Sequence, residues 1–61
     1  MNLEYLRPFI KEQIEKYPNL KEEIMDFYHL CLAEIAEGGS EMHEVELCIN
    51  DINDLIEDNK N

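Results

Sequence analysis

Between Glu22 and Asn59 the sequence contains no lysine or arginine, although it contains twelve aspartate and glutamate residues. All but one of the basic residues precede this acidic block, and they are Arg7, Lys11, Lys16 and Lys21, with Lys60 following it. Such one-sided charge repels nucleic acid and acidic membranes, and it attracts basic protein surfaces. We therefore expect a basic protein partner, with no direct binding to nucleic acid or to a membrane.

Long apolar runs, a leader segment and a disulfide framework are also absent. No stretch approaches the roughly 18 apolar residues that indicate a membrane span. Residues 1–5 lack the basic and apolar segments of a secretory signal peptide. The two cysteines could form at most one disulfide. These absences favour a cytoplasmic protein whose thiols are reduced.

The chain contains two prolines and two glycines, and three of these four residues mark the boundaries between its predicted helices. Breaks are expected at Tyr17-Pro18-Asn19 and at Gly38-Gly39-Ser40, and between them the apolar pattern has a helical period throughout. No alternating pattern long enough for a strand is present. The sequence thus predicts a single all-α domain over 1–61. Its helices are expected at about 4–17, 20–37 and 41–57, with a frayed tail at 58–61.

The first predicted helix carries a narrow apolar stripe of Leu3, Leu6, Ile10, Ile14 and Tyr17, flanked by Tyr5 and Phe9. Pro8 complicates its beginning, because proline in a helix interior removes one hydrogen bond and clashes with the preceding turn. Two beginnings are consistent with this pattern. The helix starts near Arg7, or it starts earlier and is kinked at Pro8.

The second helix is expected to begin with Asn19 as N-cap and Glu22 as its capping-box partner. It should end at Gly38 in a left-handed C-cap. Its apolar residues cover an arc of about 180°, which is wide enough to contact two neighbours. They are Leu20, Ile24, Met25, Phe27, Tyr28, Cys31, Leu32, Ile35 and Ala36.

Ser40 is the expected N-cap of the third helix, whose apolar arc is about 140° wide. That arc consists of Met42, Val45, Cys48, Ile49, Ile52, Leu55 and Ile56. The short connection at Gly38-Gly39 makes the second and third helices an antiparallel helical hairpin. The first helix either completes a three-helix bundle or reaches across to a second subunit. The broad apolar face of the second helix and the pair Leu30 and Leu47 on polar faces favour a homodimer.

The cysteines and histidines were considered as reactive or metal-binding groups. Cys31 and Cys48 lie at nearly equal distances from Gly39, so we expect them to be neighbours in the core. They are interpreted as small buried hydrophobic residues, and a redox-sensitive bridge is the alternative. His29 and His43 are interpreted as solvated, because no spacing supports a metal site.

No pattern indicates catalysis or a cofactor. Carboxylates on exposed helix faces lack the pocket that general acid–base chemistry needs. The sequence also contains no glycine-rich phosphate loop and no calcium-binding loop. We therefore expect a non-enzymatic protein without a cofactor or a metal.

The sequence indicates one candidate partner-binding surface, which combines acidic residues with two leucines on polar helix faces. The acids of the third helix form a ridge of Glu44, Asp51, Asp54 and Asp58 that is expected to face solvent. Leu30 and Leu47 are large apolar residues on otherwise polar faces, at one height of the hairpin. We interpret the chain as a small acidic protein–protein interaction module with a regulatory role. The alternatives are a structural self-assembling helical unit and a nucleic-acid mimic that blocks a DNA- or RNA-binding protein.

Overall fold

The computed structural model describes residues 2–60, which fold into three α-helices and one 3₁₀ turn with no strand. The elements in chain order are α1 (Leu3–Lys16), a 3₁₀ turn (Pro18–Leu20), α2 (Lys21–Ala36) and α3 (Glu41–Asn59). The predicted all-α fold with a helical hairpin is confirmed.

α1 takes the earlier of its two expected beginnings. The side chain of Asn2 accepts a hydrogen bond from the Tyr5 amide at 3.1 Å. A carboxylate oxygen of Glu41, at the start of α3, accepts another from the Leu3 amide at 3.1 Å. These acceptors satisfy amides that a helix start leaves unpaired. They hold the first turn in place ahead of Pro8, which lies on the exposed side of α1.

The predicted N-cap of α2 at Asn19 is wrong. Asn19 lies inside the 3₁₀ turn, and the residue at the N-cap position is Leu20, without a side-chain capping bond. The Leu20 amide donates to the Tyr17 carbonyl at 2.9 Å, and the turn continues directly into α2. In the 3₁₀ turn a backbone carbonyl therefore accepts a hydrogen bond from an amide near the start of α2, as a capping side chain would otherwise do.

The connection between α2 and α3 ends α2 as the sequence predicted. Gly38 has a φ of 105°, a conformation that glycine adopts without steric cost. Its amide donates to the Ile35 carbonyl at 3.1 Å, and the Gly39 amide donates to the Glu34 carbonyl at 2.9 Å. These two bonds form a Schellman motif. They satisfy carbonyls of the last turn and reverse the chain direction.

α3 begins at the predicted cap and ends later than predicted. The Ser40 hydroxyl accepts a hydrogen bond from the His43 amide at 3.4 Å. The helix continues to Asn59, past the expected end at 57, and the Asn59 side-chain amide donates to the Leu55 carbonyl at 2.9 Å. Asn61, the last residue of the expected frayed tail, lies outside the described residues.

The core lies along the seam where the three helices meet. α2 contacts both α1 and α3, as its wide apolar face predicted, and α1 also contacts α3. Within the chain, α1 therefore completes a three-helix bundle. The buried residues are Leu6, Ile10, Leu20, Ile24, Cys31, Val45, Cys48, Ile49, Ile52 and Ile56.

Two residues assigned to apolar arcs are exposed. Met42 is 62% exposed, and Ala36 is exposed as well. Each lies at the margin of its arc and in a terminal turn of its helix. A residue there extends beyond the part of the arc that the neighbouring helices cover, and this explains the discrepancy.

Candidate functional site

The acidic ridge on α3 is exposed at three of its four positions. Asp51, Asp54 and Asp58 face solvent as predicted. Glu44 is half-buried, which corrects the expectation that it would be open to solvent. Its Cγ packs at the bare face of Gly39, only 3.2 Å from where a β-carbon would be. A β-carbon at position 39 would therefore crowd the Glu44 side chain.

Leu47 lies within the acidic ridge and not beside it. At 100° per residue, the four acids cover an arc of about 80° on α3, and Leu47 falls inside that arc. The position is 43% exposed. An apolar side chain is thus surrounded by carboxylates on the outer face of the helix.

A groove between α2 and α3 brings most of the predicted site together. Its volume is about 310 Å³. We call it the acidic groove. Its apolar lining consists of Phe27, Leu30, Cys31, Leu47 and Cys48, and its carboxylates are Glu34, Glu44 and Asp51. Four of the six predicted partner-binding residues therefore line one surface.

The other two acids lie farther along α3. Asp54 and Asp58 do not line the acidic groove. Asp58 is seven residues beyond Asp51, or about 10 Å along the helix axis. The predicted site is thus an apolar groove with an acidic extension on one side.

The two leucines are the most exposed part of the groove's apolar lining. Leu30 is 56% exposed and Leu47 is 43% exposed, and they come from different helices. A single exposed leucine is common on protein surfaces. Two of them in one groove with Phe27 form an apolar patch, and patches with a polar rim mark interaction sites.

The two cysteines line the inner part of the same groove, which confirms their predicted proximity. Both are free and buried. Burial raises the pKa of the Cys31 thiol, and Glu44 raises it further. Burial also raises the pKa of Cys48 to about 12, with a smaller contribution from Cys31. Both thiols are therefore protonated near neutral pH, and a protonated thiol is a poor nucleophile.

Nothing basic compensates the charge of the acidic groove. Within residues 2–60, the ion pairs are Lys16 with Glu12 and Lys60 with Glu57. None of these residues lines the groove. The three carboxylates there repel one another and would be stabilised by cations on a partner.

Sequence reasoning missed two residues of this groove, Phe27 and Glu34. Glu34 follows Leu30 by four residues and Phe27 precedes it by three, so all three share one side of α2. That spacing could have identified Phe27 and Glu34 as neighbours of Leu30 on the same surface. Phe27 had been assigned only to the core, and it is in fact half-buried at the groove.

The described residues form neither a metal site nor a membrane-spanning helix. His29 and His43 are exposed, and residues 2–60 contain no group of three or more potential ligands that could hold a metal ion. In the same part of the chain, none of the helices combines the length and apolar character needed to cross a membrane.

No protein-family model matches this chain. Searches of curated proteins and of solved structures likewise found no similar protein.

Proposed function

We propose that this protein is a small, non-enzymatic interaction module that binds a basic surface of a protein partner and thereby regulates it. The observation that carries the proposal is the acidic groove, in which two exposed leucines from different helices lie among three carboxylates. An apolar centre with a polar rim is the usual anatomy of a protein interface.

The leucines and the carboxylates would contribute in different ways. Burial of Leu30 and Leu47 removes apolar surface from water, a favourable term of about 25 cal/mol per Å² from which the entropy cost of association is subtracted. The carboxylates act mainly on the rate of encounter, because complementary charge steers association. Asp54 and Asp58 extend the negative surface beyond the groove and widen the area over which a basic partner is attracted.

The test is capture of partners from the native cell extract, followed by kinetics with the reversed variant Asp51→Lys/Asp54→Lys. We expect a lower association rate with unchanged helicity, because both side chains are exposed. The association rate of the wild type should fall steeply as salt rises past about 0.15 M, where the screening length is about 8 Å.

A matched control is Glu22→Lys/Asp26→Lys, which makes the same change in net charge at exposed positions of α2. These two residues do not line the acidic groove. The control should retain most of the wild-type association rate. Binding that ignores both salt and the Asp51/Asp54 reversal would contradict the proposal.

A nucleic-acid mimic is a second candidate, favoured by the row of exposed carboxylates at Asp51, Asp54 and Asp58. Such a mimic would occupy the phosphate-binding surface of its partner and use the charge effect that dominates nucleic-acid binding. Competition separates the two functions. An oligonucleotide should displace a mimic from its partner, whereas it should not displace a module that docks elsewhere.

A further inference from the structure

A second groove of opposite charge lies between α1 and α2. Its volume is about 390 Å³, and we call it the basic groove. Its cations are Arg7, Lys11 and Lys21, and its apolar lining includes Ile10, Ile14 and Met25. Only one carboxylate, Glu15, lines it. Three of the five basic residues of a chain with net charge −10 are therefore gathered around one apolar groove.

These three cations have no ion-pair partner within residues 2–60, although the chain has fifteen carboxylates. The two basic residues outside the groove behave differently. Lys16 and Lys60 each lie beside a carboxylate, at 3.0 and 3.8 Å. Among the described residues, the basic residues that form ion pairs are therefore those outside the basic groove.

The cations are distributed along the groove. Arg7 lies at one end, where its Nε donates to the Tyr28 hydroxyl at 3.3 Å. Lys11 is one helical turn farther along α1, and Lys21 opens α2 at the other end. Charges spaced in this way suit an extended partner with several carboxylates better than a small ligand with one.

The same chain carries such a partner surface. The acidic groove presents three carboxylates and two exposed leucines, whereas the basic groove presents three cations around an apolar lining. The surfaces are complementary in charge, and both have apolar centres.

The two grooves lie on different sides of α2. Met25 lines the basic groove and Leu30 lines the acidic groove. Five residues at 100° each separate their directions by about 140°. The two surfaces of one chain therefore cannot contact each other, and a second copy would use one groove of each molecule.

We propose that the acidic groove of one copy faces the basic groove of the next in a head-to-tail contact, in which the exposed Leu30 and Leu47 pack against the apolar lining of the basic groove. This inference rests on the proposed function, because it names the basic groove of a second copy as the basic surface that the acidic groove binds. A head-to-tail contact leaves one groove of each kind free at the two ends, so it builds rings or open chains.

Salt should affect this assembly in an unusual way. Two chains of net charge −10 repel each other as whole molecules at low salt. Screening near 0.15 M shortens the range of that repulsion to about 8 Å and leaves the close contacts in the groove less affected. We expect assembly to be strongest at moderate salt and weaker at both lower and higher salt.

The test is sedimentation of the wild type and of two double variants, each of which damages one groove and is checked for helicity. Leu30→Gln/Asp51→Asn damages the acidic groove, and Lys11→Gln/Lys21→Gln damages the basic groove. Each variant alone should be monomeric, while the wild type forms species larger than a dimer. An equimolar mixture of the two variants should form a dimer and nothing larger, because one intact groove of each kind remains.

Lys16→Gln/Lys60→Gln is the matched control, since it removes two cations outside the basic groove, and it should assemble like the wild type. A wild type that stays monomeric up to about 1 mM, the range of a weak contact, would overturn the inference. Assembly that survives in both variants would overturn it too. If the wild type is monomeric but capture of another basic protein still depends on Asp51 and Asp54, only this inference fails and the proposed function stands.

Discussion

At the scale of single residues, Cys31 and Cys48 are the groups whose chemistry burial changes most. The pKa of Cys48 is raised from 9.0 to about 12 in the folded state. Between those values the native state keeps a proton that the unfolded state loses. The contribution of this thiol to stability is therefore fully present below pH 9 and is lost as pH rises toward 12. We predict a falling free energy of unfolding above pH 9, measured by urea denaturation.

The control for this prediction is Cys48→Ala. Tyrosines and lysines also titrate in the alkaline range, so the pH dependence of the wild type alone is not diagnostic. The difference between wild type and variant isolates the thiol. Stability curves that run parallel from pH 8 to high pH would contradict a raised pKa at Cys48.

At the scale of elements, Ser40 and Asn19, the two residues that the sequence predicted as N-caps of the hairpin, give a direct comparison. Ser40 caps α3 through its hydroxyl, whereas Asn19 makes no capping bond to α2. We predict that Ser40→Ala lowers the free energy of unfolding by about 1 kcal/mol. Asn19→Ala, the matched substitution, should change it by less than about 0.5 kcal/mol. Equal losses at the two positions in thermal or urea unfolding would show that Asn19 has a capping role.

The helices and the hairpin could be predicted because their signals are local. The apolar period, Gly38 and Ser40 all act within a few residues of the feature they determine. Asn19 misled because two local signals compete there. Pro18 has the φ that a 3₁₀ turn needs, and that turn continues into α2 before a capping side chain is required. The start of α1 was undecided because Glu41, which accepts from the Leu3 amide, is 38 residues away in sequence.

The candidate site was predictable only where it depends on the hairpin. Leu30 and Leu47 were identified because Gly39 fixes the register of α2 against α3. Glu34 was missed although it follows Leu30 by four residues on the same side of α2, because the sequence pattern did not show that this side lines a groove. The basic groove was missed entirely, since Arg7 and Lys21 come from helices whose mutual packing the sequence left open.

At the scale of the whole molecule, size decides what kind of function is feasible. The described chain measures 35 × 19 × 18 Å, and both grooves lie between two helices at its surface. A molecule this thin has little interior in which to enclose a substrate. Its distinguishing property is the separation of charge, with an acidic groove and ridge on one side and a basic groove on another. This separation of charge supports the proposal that the chain acts through contact with proteins.

The central claim is that Leu30 and Leu47 form the apolar centre of a docking surface. The most direct test compares Leu30→Ser/Leu47→Ser with Tyr5→Ser/Met42→Ser. The control residues are also exposed apolar side chains, at 53% and 62%, and they lie outside the acidic groove. The measurement is the affinity of each immobilised, folded variant for the basic protein that the wild type captures.

We predict that the leucine variant loses about tenfold or more in affinity, which corresponds to at least about 1.4 kcal/mol. The control should bind like the wild type. The reason is that a few apolar contacts at the centre of an interface carry most of its binding energy. Equal affinity for the leucine variant and the wild type, with both folded, would contradict the claim.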